Sequence, residues 1–162
     1  MKKSSWLCLI LLPVVFLAFG LKKVLQPTMT YQDVIISGKT QDKKTVYAAV
    51  DLLQKNLKAA SEKNLPNYLA TLVTSARQET EPEIQAFFSE QTLEHRLISV
   101  QVKSISQTKV TITAQQETLN LEKSNSEKNY PDHQTEANHT LIIEDGQWKI
   151  AETIMSATYF FN

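Results

Sequence analysis

Cysteine is nearly absent from this chain of 162 residues: Cys8 is the only one, and it sits inside an apolar N-terminal run. Everything after that run therefore lacks a thiol, which excludes a disulfide framework, a thiol nucleophile and a cysteine-based metal site. Lipid attachment at Cys8 is not expected either, because Leu7 precedes it and the apolar run continues to Gly20. An excess of basic residues is missing as well. Four of the 17 Lys and Arg (Lys2, Lys3, Lys22, Lys23) flank the apolar run and all 17 Asp and Glu lie beyond it, leaving the remainder at net −4. Such a domain has no cationic surface to displace the counterions of a nucleic acid, so no nucleic-acid partner is expected. No internal repeat is visible. With 42% hydrophobic and 21% charged residues, the composition is that of a folded protein with room for one core.

The N-terminus has the layout of a bacterial export signal. Lys2 and Lys3 precede sixteen uncharged residues, Trp6 to Leu21, and Lys22-Lys23 follow. Two fates are open. Ala18-Phe19-Gly20 has small residues at the spacing a signal peptidase reads, so cleavage after Gly20 would release a secreted protein. The flanking lysines and the length of the run favour a retained single-pass anchor, with residues 6–21 in the membrane and the C-terminal part outside. The expected organisation is a signal peptide or anchor over 1–23, a polar spacer with one short ordered element over 24–44, and a folded domain over 45–162.

From Thr45, a plausible N-cap, Val46, Ala49, Val50, Leu53, Leu57 and Ala60 recur at helical spacing. Asn64 and Pro66 open a second helix with Leu69, Leu72 and Val73 as its buried stripe. Glu81-Pro82-Glu83 opens a third, burying Ile84, Phe87 and Phe88. After His95 the period becomes two. Ile98, Val100 and Val102, then Val110, Ile112 and Ala114, alternate with polar residues as half-buried strands do. Leu119 and Leu121 switch parity relative to Val110, which implies a bulge or strong bend in that strand. Residues 122–137 read as a polar loop. Leu141-Ile142-Ile143-Glu144, Asp145-Gly146 and Gln147-Trp148-Lys149-Ile150 form a hairpin, because a type I′ turn needs positive φ at both central residues. Trp148 should share the helix-facing side with Ile150.

The expected fold is α+β, with N-terminal helices on a strongly curved antiparallel sheet of about four strands. Val46-Tyr47-Ala48-Ala49-Val50, followed by Lys63-Asn64-Leu65-Pro66-Asn67-Tyr68-Leu69, resembles the first helix and turn of the nuclear transport factor 2-like superfamily, which includes the SnoaL-like and ketosteroid isomerase cones. Glu144-Asp145-Gly146-Gln147-Trp148-Lys149-Ile150-Ala151-Glu152-Thr153 resembles its closing hairpin. Asn64 stands where that family commonly has Asp. The resemblance implies a cone over residues 45–162 whose lining decides between enzyme and binding module.

The isomerase branch needs a buried carboxylate base and an oxyanion donor at one apolar spot. The only aspartates, Asp33, Asp42, Asp51, Asp132 and Asp145, fall in the spacer, in loops and turns or on a polar helix face. No catalytic residue is assigned. Asp132, His133, Glu136 and His139 form a polar grouping without a second motif, so neither a metal nor a cofactor is expected. Tyr47, Tyr68, Phe87, Phe88, Trp148 and Tyr159 are the pocket candidates, with plain core packing as their alternative role. The expected function is a membrane-tethered, extracytoplasmic, non-catalytic domain that binds a protein or peptide of the envelope. The alternatives are a small-molecule or enzymatic cone and a structural part of an envelope or conjugative secretion assembly.

Overall fold

The computed structural model describes residues 28–122 and 130–161. The expected export segment lies outside the described residues, and among these no helix is long and apolar enough to cross a membrane. The chain forms β1 (Met29–Tyr31), β2 (Val34–Gly38), α1 (Lys43–Ser61), α2 (Leu65–Ala70), α3 (Thr74–Glu90), β3 (Leu93–Ile105), β4 (Lys109–Asn120), β5 (His133–Glu144) and β6 (Gln147–Phe160). The fold is α+β, but its sheet has six strands in sequential order instead of about four. β2 and β3 pair parallel, and every other pair is antiparallel.

The two additional strands come from the segment expected to be a spacer. Gln32 and Asp33 both adopt positive φ (47° and 65°) and make the β1–β2 turn without a glycine. Val34 and Ile36 then enter the core fully buried. Gly38 ends β2 where no other residue fits. Its φ is +90°, and a Cβ there would lie 2.2 Å from the Val102 carbonyl oxygen.

Helix α1 carries the main apolar stripe. Val46, Ala49, Val50 and Leu53 pack on Val100, Val110, Ile112 and Leu141 from the strands. Full burial of a Leu or Ile side chain contributes about 1.5–3 kcal/mol. The cap of α1 is Asp42 and not Thr45: the Thr45 N–H donates to Asp42 Oδ1 at 3.1 Å, and the Thr45 side chain together with this N–H holds the Asp42 carboxyl below its ordinary pKa. Asn64 caps α2 by accepting from the Asn67 N–H at 3.1 Å.

Helix α3 begins at Thr74, seven residues before the expected start at Glu81, and Pro82 lies inside it. The cause is non-local. Val73 at its N-cap offers no side-chain acceptor; instead Glu144, at the end of β5, takes the Thr74 N–H at 3.0 Å and the Thr74 hydroxyl at 2.9 Å. A carboxylate there satisfies orphan donors and faces the positive helix end.

The strand expected to bulge near Leu119 does not. On β4, Val110, Ile112, Ala114, Thr118 and Asn120 all point inward without interruption, and Leu119 faces out. The register shifts lie instead in β3, at Ile98 and Lys103, and in β6, at Ala151 and Ser156. The expected loop over 122–137 ends early: β5 starts at His133, and His133, Thr135 and Ala137 are buried. Asp145 (φ 51°) and Gly146 (φ 72°) form the expected hairpin turn, and Trp148 packs half-buried against the core cluster that contains Ile150.

Candidate functional site

Polar residues occupy inward positions at one end of the sheet, where the helices stand off from it. Gln116 and Thr118 on β4, and His133, Thr135 and His139 on β5, share the concave face through their period of two. They form the floor of a cavity of about 200 Å³. Asn56, Leu57 and Ala60 of α1, Tyr68 of α2, and Ile84, Phe87 and Phe88 of α3 wall it, and His95, Tyr130, Thr153 and Met155 complete its lining.

Aromatic contacts hold the wall in place. Tyr68 meets Phe88 edge-on with ring centres 5.9 Å apart, and Phe87 meets Tyr130 at 5.8 Å. Tyr130 also lies 5.4 Å from His133, whose ring is 5.8 Å from Phe160. Burial raises the pKa of the Tyr68 hydroxyl.

All three histidines of the chain line this cavity. His139 is fixed by two neighbours. Gln116 Nε2 lies 3.1 Å from His139 Nε2, and Thr153 Oγ1 lies 2.9 Å from Nδ1. An amide N–H only donates, so His139 Nε2 is the acceptor and the proton sits on Nδ1, directed at Thr153. Burial lowers the His139 pKa to about 4. His95, with Nδ1 3.0 Å from Thr118 Oγ1, is lowered to about 4 by burial and by the neighbouring His133. His133 Nδ1 donates to the Pro131 carbonyl at 2.9 Å. Among the described residues, no buried side-chain nitrogen or oxygen lacks a hydrogen-bond partner.

Of the six aromatic candidates, Tyr68, Phe87 and Phe88 line the cavity. Tyr47 does not; it stacks on Tyr31 with centres 4.1 Å apart and planes 9° from parallel. Trp148 belongs to the core, and Tyr159 is exposed on β6. The floor residues His95, Gln116, Thr118, Thr135 and Thr153 were not among the candidates. Only Thr135 among them carries a sequence signal, the alternation His133, Thr135, Ala137, His139, Leu141, which marks one strand face with polar members. The Asp132, His133, Glu136, His139 grouping is dispersed: Asp132 Oδ1 accepts from the Asn120 N–H at 2.7 Å, and Glu136 accepts from the Ser156 hydroxyl on the other face. Among the described residues, no three His, Cys, Asp or Glu side chains come together as a metal site.

The sequence model of the C-terminal domain of anti-sigma-I factor RsgI9 matches residues 51–160, more than half of the chain. The chain belongs to the RsgI9 C-terminal domain family. No curated protein is similar enough in sequence to count as a relative. Among solved structures, this RsgI9-type domain is similar to a protein of Novosphingobium aromaticivorans named as a candidate aromatic ring hydroxylase, with TM-score 0.62 and 11% identity over 74% of this chain and 94% of the other. An NTF2-like protein of unknown function from Shewanella oneidensis gives TM-score 0.58 and 14% identity over 70% and 99%. Another from Pseudomonas putida gives 0.59 and 10% over 72% and 88%. At these identities the likeness establishes the fold, and the RsgI9-type domain has the NTF2-like cone that its sequence resembles.

Proposed function

We propose that this RsgI9-type domain is the non-catalytic input domain of a regulatory protein, held outside the cell membrane by residues 6–21, where it binds a protein, peptide or other envelope component. The regulatory part of this reading is supported by the family, whose description places the domain in an anti-sigma factor. The observation that carries the non-catalytic part is the cavity floor. His139 bonds to Gln116 and Thr153, His95 bonds to Thr118, and both rings are held in the neutral form at pH 7. A floor whose side chains already hold one another in place is preorganised for recognition.

The test uses the full-length chain with a C-terminal epitope in a bacterial host. The epitope should stay with alkali-washed membranes and be cut by protease added to spheroplasts. An epitope protected from protease would overturn the placement. Turnover of ester, ketone or β-lactam substrates above background would overturn the non-catalytic reading. A second reading, a receptor for a small neutral ligand, is favoured by the cavity itself, with Phe87 and Phe88 opposite a polar floor.

A further inference from the structure

Five of the eight exposed large hydrophobic side chains among the described residues lie at the end of the chain: Ile154, Met155, Tyr159, Phe160 and Phe161, each 45–62% exposed. Four of them are in β6, an edge strand that pairs only with β5. The start of β6 is covered. The Val73 N–H donates to the Ile150 carbonyl at 3.0 Å, and the Ile150 N–H donates to the Thr71 carbonyl at 2.9 Å. From Ala151 onward, no strand among the described residues flanks the outer edge. Sheet edges are ordinarily protected by lysine, proline or an inward charge. Between Thr153 and Phe161 the sequence has none of these, and the one other edge device present is the bulge at Ser156.

We propose that β6 pairs antiparallel with β6 of a second copy of this chain, across a two-fold axis between Ser156 and Ala157. Three observations select this occupant. The first is the match of faces. The register with β5, with its bulge at Ser156, puts Thr153, Met155, Thr158 and Phe160 on the concave side and Ile154, Ala157 and Tyr159 on the convex side. A two-fold axis at that point sets Met155 opposite Thr158 and Thr153 opposite Phe160 on the concave side, and Ile154 opposite Tyr159 on the convex side. Each residue thus meets one of its own face, with a β-branched side chain in every pair. The second is charge. Glu152 is the only charged residue after Lys149, and this axis places the two copies of Glu152 at opposite ends of the ribbon. The third is closure. The other sheet edge, β1, has three residues, and its Tyr31 is stacked on Tyr47, so it offers β6 no edge of comparable length for head-to-tail growth. An edge that pairs with itself closes as a dimer.

Across the middle of β4 and β5 the convex face does not compete for this role, because Thr111, Thr113, Gln115, Gln134, Asn138 and Thr140 make it polar there. Pairing at β6 also bears on the cavity. Met155 lines it and Phe160 touches His133, so Thr158 of the second copy, beside Met155, extends the cavity wall on its open side.

The test is disulfide mapping of the full-length chain in membranes, in a Cys8→Ser background. Single substitutions Glu152→Cys, Ile154→Cys, Ser156→Cys, Ala157→Cys and Tyr159→Cys are oxidised with copper phenanthroline, with Leu121→Cys, exposed but remote from β6, as control. The dimer band should peak at Ser156→Cys and Ala157→Cys and fall several-fold by Glu152→Cys, whose two copies lie about 30 Å apart along the ribbon. Adding Ile154→Lys and Tyr159→Lys to Ser156→Cys should abolish the band while the circular dichroism spectrum is retained. A flat profile, as from association through the N-terminal segment alone, would overturn the proposal. So would bands no stronger than the Leu121→Cys control, the outcome if a foreign strand occupies the edge, or a band that survives the paired lysines.

Discussion

Acidification should weaken this domain through His139. In the folded state its ring is 5% exposed, its pKa is about 4, and the groups fixing its nitrogens, Gln116 and Thr153, carry no charge. In the unfolded chain the same ring titrates near 6.5. Between these values the unfolded state binds a proton that the folded state does not, so stability is fully present above pH 6.5 and is lost as pH falls toward 4. Linkage gives a loss of about 2 kcal/mol by pH 5 and about 3 kcal/mol by pH 4 from this ring alone. Carboxylates impose their own acid dependence, so the quantity to measure is a difference. Urea unfolding at pH 7 and pH 5 should show His139→Gln losing about 2 kcal/mol less than the parent over that interval, since Gln keeps a hydrogen bond but takes no proton. An equal loss in both proteins would refute the reasoning, as would an imidazole NMR titration placing His139 near 6.5.

Trp148→Ala removes a half-buried side chain from the core cluster and should cost about 2–3 kcal/mol in chemical denaturation, less than full burial would imply. Gly38→Ala meets both a positive φ and the Val102 carbonyl oxygen at 2.2 Å, and should cost more than about 3 kcal/mol; Gly146→Ala, with open space around its Cβ, should cost about 1 kcal/mol in the same thermal melts. Glu144→Ala leaves the start of α3 without its acceptor and should cost about 1 kcal/mol, seen as faster amide exchange at Thr74 and the next residues.

Elements that bury an uninterrupted apolar stripe were legible in the sequence. Val46, Ala49, Val50 and Leu53 repeat at helical spacing because these inward positions of α1 meet the core. The hairpin at Asp145-Gly146 was legible because its turn chemistry is local. The cavity was not, for the reason that makes it a cavity. Where helices stand away from a sheet, inward positions no longer need to be apolar, and Gln116 and Thr118 break the alternation that marks a strand face. Leu119 then looks like a change of parity although the backbone keeps its register. The start of β5 was hidden in the same way, with His133 and Thr135 inward in what reads as a loop. β1 was hidden by brevity, and by a turn at Gln32-Asp33 that adopts positive φ without glycine, while β2 falls where the one short ordered element of the spacer was expected, with nothing local to show that it joins the sheet. The early start of α3 was out of reach of any local pattern, because its acceptor is 70 residues away.

That separation bears on the order in which the molecule is built. α1 and α2 are capped by Asp42 and Asn64, each acting on an N–H three residues onward, so both can be started by their own sequence as the chain emerges. Thr74 has to wait for Glu144, which arrives at the end of β5 after most of the sheet has been made, and closing so long a loop carries an entropic cost that early structure cannot recover. The first turn of α3 thus has its acceptor only once β5 is in place. The helix bearing Phe87 and Phe88 is tied at its start to the strand that carries His133, Thr135 and His139, so wall and floor of the cavity are joined by one carboxylate.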